Sequence, residues 1–472
     1  MTARECSRRN FLKAGAATGL AAGFTDLTSG KDVAKQHPTL ANSPGFGRAK
    51  SVILIFANGG QSQLETWDPK PNAPLEVRGD FRAIASKVPG TILSEHLPRT
   101  AQLADRFTII RTMSHEDLDH GSAAYLSFTG RYHNRKSSNP PPRQTDIPCM
   151  SAVLKRVRPQ SPFVDAAVHI NAPAIIAPNN LAPGQFGGLL GRKYDALTVG
   201  NVTAGSLVIP GLTPRPDLSQ VRLQKRRSLL RSLDDHARKL ERYQKVTDMR
   251  GLYDRAYRML SDRKTRQAFD LTREPEQIRN RYGRNRSGQA CLLARRLTEA
   301  GVPFTTVMWN HHSRGQDHEP NNTDLYGWDT HNDIFTAMKN RLLPRFDLSF
   351  SALIEDLDQR GLLDTTLVIC MGEFGRAPLV ALEKRFKGAS PGRKHWAATY
   401  SVVMAGAGVG RGKVLGRSDR FAAYPAADAY GPWDITATIF HAMGIDPKRH
   451  FFDTVNRPWP ISIGKPILKL FA

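Results

Sequence analysis

Ser51-Val52-Ile53-Leu54-Ile55-Phe56-Ala57 is an unbroken apolar run, rich in β-branched residues, that stops at Asn58-Gly59-Gly60-Gln61-Ser62. A strand without a polar face is one covered on both sides, as in a parallel sheet flanked by helices. The paired glycines let the chain leave such a strand in a tight turn. The run TLVICM at Thr366–Met371 repeats the pattern and opens onto Gly372-Glu373-Phe374-Gly375-Arg376. Residues 107–111, 303–309 and 399–406 read as further strands. Helical spacing over 121–129, 289–300, 347–359 and 434–443 is closed in each case by a glycine, at 130, 301, 361 and 444. Residues 134–148 read as a loop, and 164–213 as short edge strands and turns. Strand and helix in alternation predict an α/β fold: a doubly wound, mainly parallel sheet with helices on both faces.

One segment departs from this rhythm. Residues 218–286 carry 20 Lys and Arg against 9 Asp and Glu, and Leu223, Leu229, Leu230, Leu233, Ala237 and Leu240 recur at helical spacing. This predicts a basic helical insertion, one apolar stripe under a charged face, within a domain spanning 45–472. An apolar content of 40% with 23% charged residues is that of a soluble globular chain, and no apolar run reaches the length of a membrane span.

The N-terminus reads as an address. Ser7-Arg8-Arg9-Asn10-Phe11-Leu12-Lys13, followed by the small apolar residues 14–24, matches a twin-arginine signal peptide within residues 1–30. It implies export to the periplasm or beyond, with the twin-arginine translocase as a partner that carries the protein already folded. The four cysteines, Cys6, Cys149, Cys291 and Cys370, are far apart with no C-x-x-C pair, so no disulfide framework is expected. Net charge is +24, and removing residues 1–24, with Arg4, Arg8, Arg9 and Lys13 against Glu5, leaves +21. Such a field favours anionic partners: anionic small molecules or polysaccharide esters, other sulfated or phosphorylated polymers, anionic envelope surfaces, or nucleic acid nonspecifically. Aromatic and basic residues are not interleaved at base-reading spacing, so no specific nucleic-acid partner is expected.

The polar segments at strand ends carry the chemistry, because ligands bind there in open α/β sheets. In Trp328-Asp329-Thr330-His331, Asp329 and His331 sit two apart and share one face of an extended backbone. Taken singly, each is an ordinary turn or surface residue. With Glu373 and the His395 of Arg393-Lys394-His395-Trp396, they form the ligand set of a first-row metal, zinc by composition, with manganese or iron also fitting. Arg376 and Arg393 beside them are candidates for holding the remaining oxygens of an anionic ester.

These motifs also carry a family resemblance. Asn58-Gly59-Gly60-Gln61-Ser62 with Trp67-Asp68-Pro69-Lys70, and Leu292-Leu293-Ala294-Arg295-Arg296-Leu297 with Glu299-Ala300-Gly301-Val302, occur in order. Trp328-Asp329-Thr330-His331, Gly372-Glu373-Phe374-Gly375-Arg376 and His395-Trp396 follow. Over residues 45–472 the chain resembles the DUF1501 family of the alkaline phosphatase/sulfatase-like superfamily. The resemblance implies an alkaline phosphatase-like fold with a metal site at the sheet end and a nucleophile at a helix start. In that comparison His120 takes the nucleophile position, Asn58 that of a first-strand metal ligand, and Glu373 and Phe374 those of an Asp–His ligand pair. Phe ligates no metal and Asn brings no charge, so the expected site is one metal held by Asp329, His331 and His395, with Glu373, Asn58 and His120 as further ligands. His120 is also a candidate nucleophile or general base, with Ser62 as a rival nucleophile.

Two functions follow: an exported, metal-dependent hydrolase of phosphate or sulfate esters, or a superfamily member that has lost catalysis and binds anionic ligands. The export reading has a direct check. Arg8→Lys combined with Arg9→Lys is expected to leave the precursor in the cytoplasm by fractionation and immunoblotting; wild-type amounts in the envelope would refute the signal.

Overall fold

β1 (Ser51–Phe56) is buried at every residue, and the rest of the protein is layered on both of its faces. The computed structural model describes residues 40, 42–159, 161, 163, 165–203 and 262–472. Seven more strands join β1 in a single eight-stranded sheet. They are β2 (Phe107–Met113), β3 (Ala167–Ile170), β4 (Leu197–Val199), β5 (Phe304–Met308), β6 (Thr366–Met371), β7 (Tyr400–Ala405) and β8 (Lys413–Leu415). Their order across the sheet is β8-β2-β7-β6-β1-β5-β3-β4, antiparallel only where β7 meets β6 and β2.

Alternate side chains of β1 feed two cores, as the period of a strand requires. Ile53, Ile55 and Ala57 pack with Leu292 and Leu293 of helix α3 (Arg286–Glu299) and with Phe346 and Phe350 of α4 (Leu343–Gln359). Val52, Leu54 and Phe56 pack on the other face with α1 (His120–Thr129), α2 (Met150–Val157) and α5 (Pro432–Ala442). The unbroken apolar run is thus explained by two helical layers, and the fold is the mixed α/β sheet that the sequence predicts.

Register fixes where the polar segments emerge. Phe56 pairs with Met371 on one side and Met308 on the other, so β1, β5 and β6 end level. Asn58, Asn310 and Glu373 therefore leave the sheet at one edge. β7 runs the opposite way, with Tyr400 beside Met113 at the end of β2, so the residues just before β7 lie at that same edge. Past Met113 the chain enters α1, which starts at His120.

One expectation needs correction. Residues 167–170 form no edge strand; β3 lies inside the sheet between β5 and β4, and all four of its residues are buried. The signal segment, the leucine stripe and residues 218–261 of the basic segment fall outside the described residues. Its remainder is helical at Arg263–Phe269 and Glu276–Tyr282 and rests on the α3–α4 layer, where the Tyr282 hydroxyl donates to Asp356 at 2.9 Å. Cys149, Cys291 and Cys370 are buried free thiols. Among the described residues, no helix is long and apolar enough to cross a membrane.

Candidate metal centre at the strand ends

Asp329 is a fully buried carboxylate, and four side chains converge on it from different parts of the chain. His331 Nε2 and His395 Nε2 each lie 3.2 Å from its Oδ1 and 2.9 Å from each other. His120 Nε2 lies 3.1 Å from Oδ2. Arg376 donates from Nη2 to Oδ1 at 2.7 Å. The loop bearing Asp329 is pinned to two strand ends: Trp328 N–H donates to Asn58 O at 3.1 Å and Asp329 N–H to Ser313 O at 3.0 Å. Gly59 makes this approach feasible, since its φ is +115° and a Cβ there would sit 2.4 Å from Asp329 N.

The outer hydrogen bonds set the tautomers. His395 Nδ1–H donates to Leu118 O at 2.6 Å, and His331 Nδ1–H donates to the Glu383 carboxylate. His120 Nδ1–H donates to Glu373 Oε1 at 2.6 Å, and Glu373 is itself held by Gly59 N–H at 2.8 Å. His331 and His395, so tied, present Nε2 lone pairs to the carboxylate, whereas His120 meets a carboxylate at each of its nitrogens. Imidazoles held through their outer nitrogens by carboxylates or carbonyls are the usual outer shell of a metal site. His120 Nε2 and Asp329 Oδ2 face each other at 3.1 Å, both buried, and neither meets another polar partner. His120, Asp329 and His395 offer ligand atoms all within 4.8 Å of one another, so this His/Asp group could hold a metal ion.

Electrostatics set His120 apart from the other two rings. Burial would raise the Asp329 carboxyl, but His120 and Arg376 outweigh it and hold it well below the usual carboxylate range. Burial lowers His331, and it lowers His395 further with the help of His120. Burial would lower His120 too, yet Asp329 and Glu373 at its two nitrogens outweigh that and lift it to about 9.

The other candidates are placed differently. Glu373 faces His120 and Gly59, so it stands behind His120. Asn58 donates from Nδ2 to Ile175 O at 2.9 Å, leaving its buried Oδ1 without a partner. Ser62 donates to Glu65, and Glu65 forms a buried pair with Arg393 at 2.6 Å. Arg393 also donates to Val77 O and Pro378 O, and Arg376 to Gly59 O and Gly60 O. Both arginines are therefore engaged inside the protein. Phe374 lies against His395 and His120, with ring centroids 4.5 and 5.1 Å away.

Three residues at this edge have no counterpart in the sequence reading. Glu383 and Glu65 act through partners 52 and 328 positions away, a separation that no local pattern encodes. His312, just past β5, accepts from Arg314 N–H at 3.0 Å on Nδ1, which puts its proton on Nε2, a buried atom without a partner. Its place after a strand that ends level with β1 was the available signal.

A mostly parallel α/β sheet with a His/Asp cluster at its carboxyl edge defines a protein built to place ligand-type side chains at strand ends. The chain belongs to DUF1501, a family described as proteins of unknown function, whose model matches residues 49–471. Residues 5–25 match the twin-arginine translocation signal, so the protein is exported. No curated protein sequence matches the chain. The similar solved structures are sulfatases and alkaline phosphatase-like enzymes. PsFucS1 sulfatase from Pseudoalteromonas sp. is 14% identical, with 94% of this chain and 76% of that one covered and a TM-score of 0.41. The phosphonate monoester hydrolase of Silicibacter pomeroyi is 13% identical over 89% and 76%, with a TM-score of 0.36. A magnesium-bound alkaline phosphatase mutant from the Antarctic bacterium TAB5 is 13% identical over 86% and 99%, with a TM-score of 0.37. Likenesses this distant set no activity for this chain.

The buried pair yields a test of what Arg393 does. Arg393→Met leaves Glu65 uncompensated and is expected to cost ~3–5 kcal/mol of unfolding free energy, read by urea denaturation. An unchanged midpoint would show that Arg393 is free to serve a ligand.

Proposed function

We propose that the protein is an exported, metal-dependent hydrolase of phosphate or sulfate esters, with one dication held by Asp329, His331 and His395. The observation that carries this reading is the triangle of Asp329 Oδ1, His331 Nε2 and His395 Nε2, with edges of 2.9 to 3.2 Å and both outer nitrogens tied to acceptors. Two imidazoles and one carboxylate are a composition used by hydrolytic zinc sites, and manganese or iron suits the same donors. A bound dication would supply Lewis acidity toward an ester oxygen. His120, oriented by Glu373 and held protonated between two carboxylates, would serve as general base or nucleophile once its Nε2 proton was displaced by a dication at Asp329, and its place at the start of α1 leaves the three-ligand set open. His312 Nε2–H, neutral because burial pushes its ring down to about 4, is a donor for an ester oxygen. The basic surface favours approach of an anionic small molecule or polysaccharide ester.

A second reading has its own support. The Phe374 ring lies against both His120 and His395 where a second ligand pair would be expected, which suits a binding protein for anionic ligands that has lost catalysis.

Metal analysis separates the two. Wild type is expected to carry close to one equivalent of dication and His331→Ala little. A chelator should lower the melting temperature of wild type but not of the variant, because the metal stabilises only the folded state. Hydrolysis of aryl phosphate or aryl sulfate should be lost with the metal. Metal-free wild type, or equal melting shifts in both proteins, would leave the binding-protein reading.

A further inference from the structure

We propose that the rim of the strand-end site docks on an anionic lipid bilayer surface. Leu75, Leu379, Leu382 and Leu118 are 59, 57, 48 and 45% exposed. Isolated exposed leucines need no explanation, but these gather around one site. Val380 N–H donates to Glu76 O at 2.8 Å, tying the loop that carries Leu379 and Leu382 to the one that carries Leu75. Leu118 O receives His395 Nδ1–H, and Leu382 precedes Glu383, the partner of His331. Leucines therefore flank the His331–His395 pair on both sides.

The same loop is basic. Lys384, Arg385, Lys387 and Lys394 are exposed, and the only acid between residues 378 and 395 is Glu383, which gives one oxygen to His331 and lies 3.7 and 3.6 Å from Arg385 and Lys394 with the other. Nearby acids are Glu76, Asp80, Asp119, Glu116, Asp317 and Asp333; Glu116 is ion-paired to Lys136 at 3.0 Å, Asp317 to Arg314 at 2.6 Å, and Asp333 accepts from the N–H groups of Ala389 and Ser390. Apolar side chains set among cations are the composition that enters the headgroup region of anionic membranes. A sulfated polymer would use the cations yet leave the leucines in water. A second copy of the chain would bring like charges together. The twin-arginine signal sends the folded protein across a membrane and so toward such surfaces.

The full-length mature protein is to be floated with vesicles of phosphatidylcholine, with and without phosphatidylglycerol. Binding to the anionic vesicles alone is expected, weakened by salt. Leu379→Ser with Leu382→Ser should reduce partitioning by ~10-fold or more, since two apolar side chains leave the interface. Metal content and the circular dichroism of the variant should match wild type, which keeps this result independent of the hydrolase reading. Absence of binding, equal binding to neutral vesicles or an unaltered variant would overturn the proposal. Two other outcomes would also overturn it. A dimer that the substitutions dissolve would assign the leucines to a second copy, and a lowered melting temperature with unchanged binding would assign them to cover by residues 204–261.

Discussion

A buried carboxylate with no counter-charge is among the costliest arrangements a fold can contain. Asp329 is tolerated because Arg376, His120, His331 and His395 surround it. Most of the strand-end architecture serves that balance. Gly59 and Gly60 let the β1 turn pass close to Asp329, and their carbonyls anchor Arg376. Glu373 orients His120, and Glu383 orients His331. Arg376 supplies one fixed positive charge, so the three imidazoles need not all be charged to neutralise the site. The inward lone pairs of His331 and His395 leave room for a cation of another kind.

The sheet makes this convergence geometrically simple. Three parallel strands ending level deliver Asn58, Asn310 and Glu373 to one edge, and the single reversed strand β7 delivers His395 to the same edge from the opposite direction. Had β7 run parallel, His395 would lie at the far end of the sheet. The antiparallel strand is therefore the topological feature on which the histidine pair depends.

The central strands were legible in the sequence because burial on both faces demands continuous apolar runs, and β1 and β6 have them. Helix ends were legible through their glycines. The direction of β7 was not, since a buried strand has the same composition whichever way it runs. Asp329, His331 and His395 stood out as ligand types at strand ends, and the structure brings them together. The arginines were legible as charges but not as partners. Arg393 meets Glu65 across 328 positions, and only the folded chain reveals that this cation is already neutralised. Glu383 was hidden in the same way, in a loop whose basic residues dominate its composition.

The central claim is that Asp329 Oδ1, His331 Nε2 and His395 Nε2 enclose a dication. X-ray absorption at the edge of whichever metal accompanies the protein purified from the cell envelope tests this most directly. The account predicts a first shell with two imidazole nitrogens and a carboxylate oxygen at ~2.0–2.2 Å for zinc, and its loss in Asp329→Ala. A shell of oxygen atoms alone, or an unchanged spectrum in that variant, would contradict it.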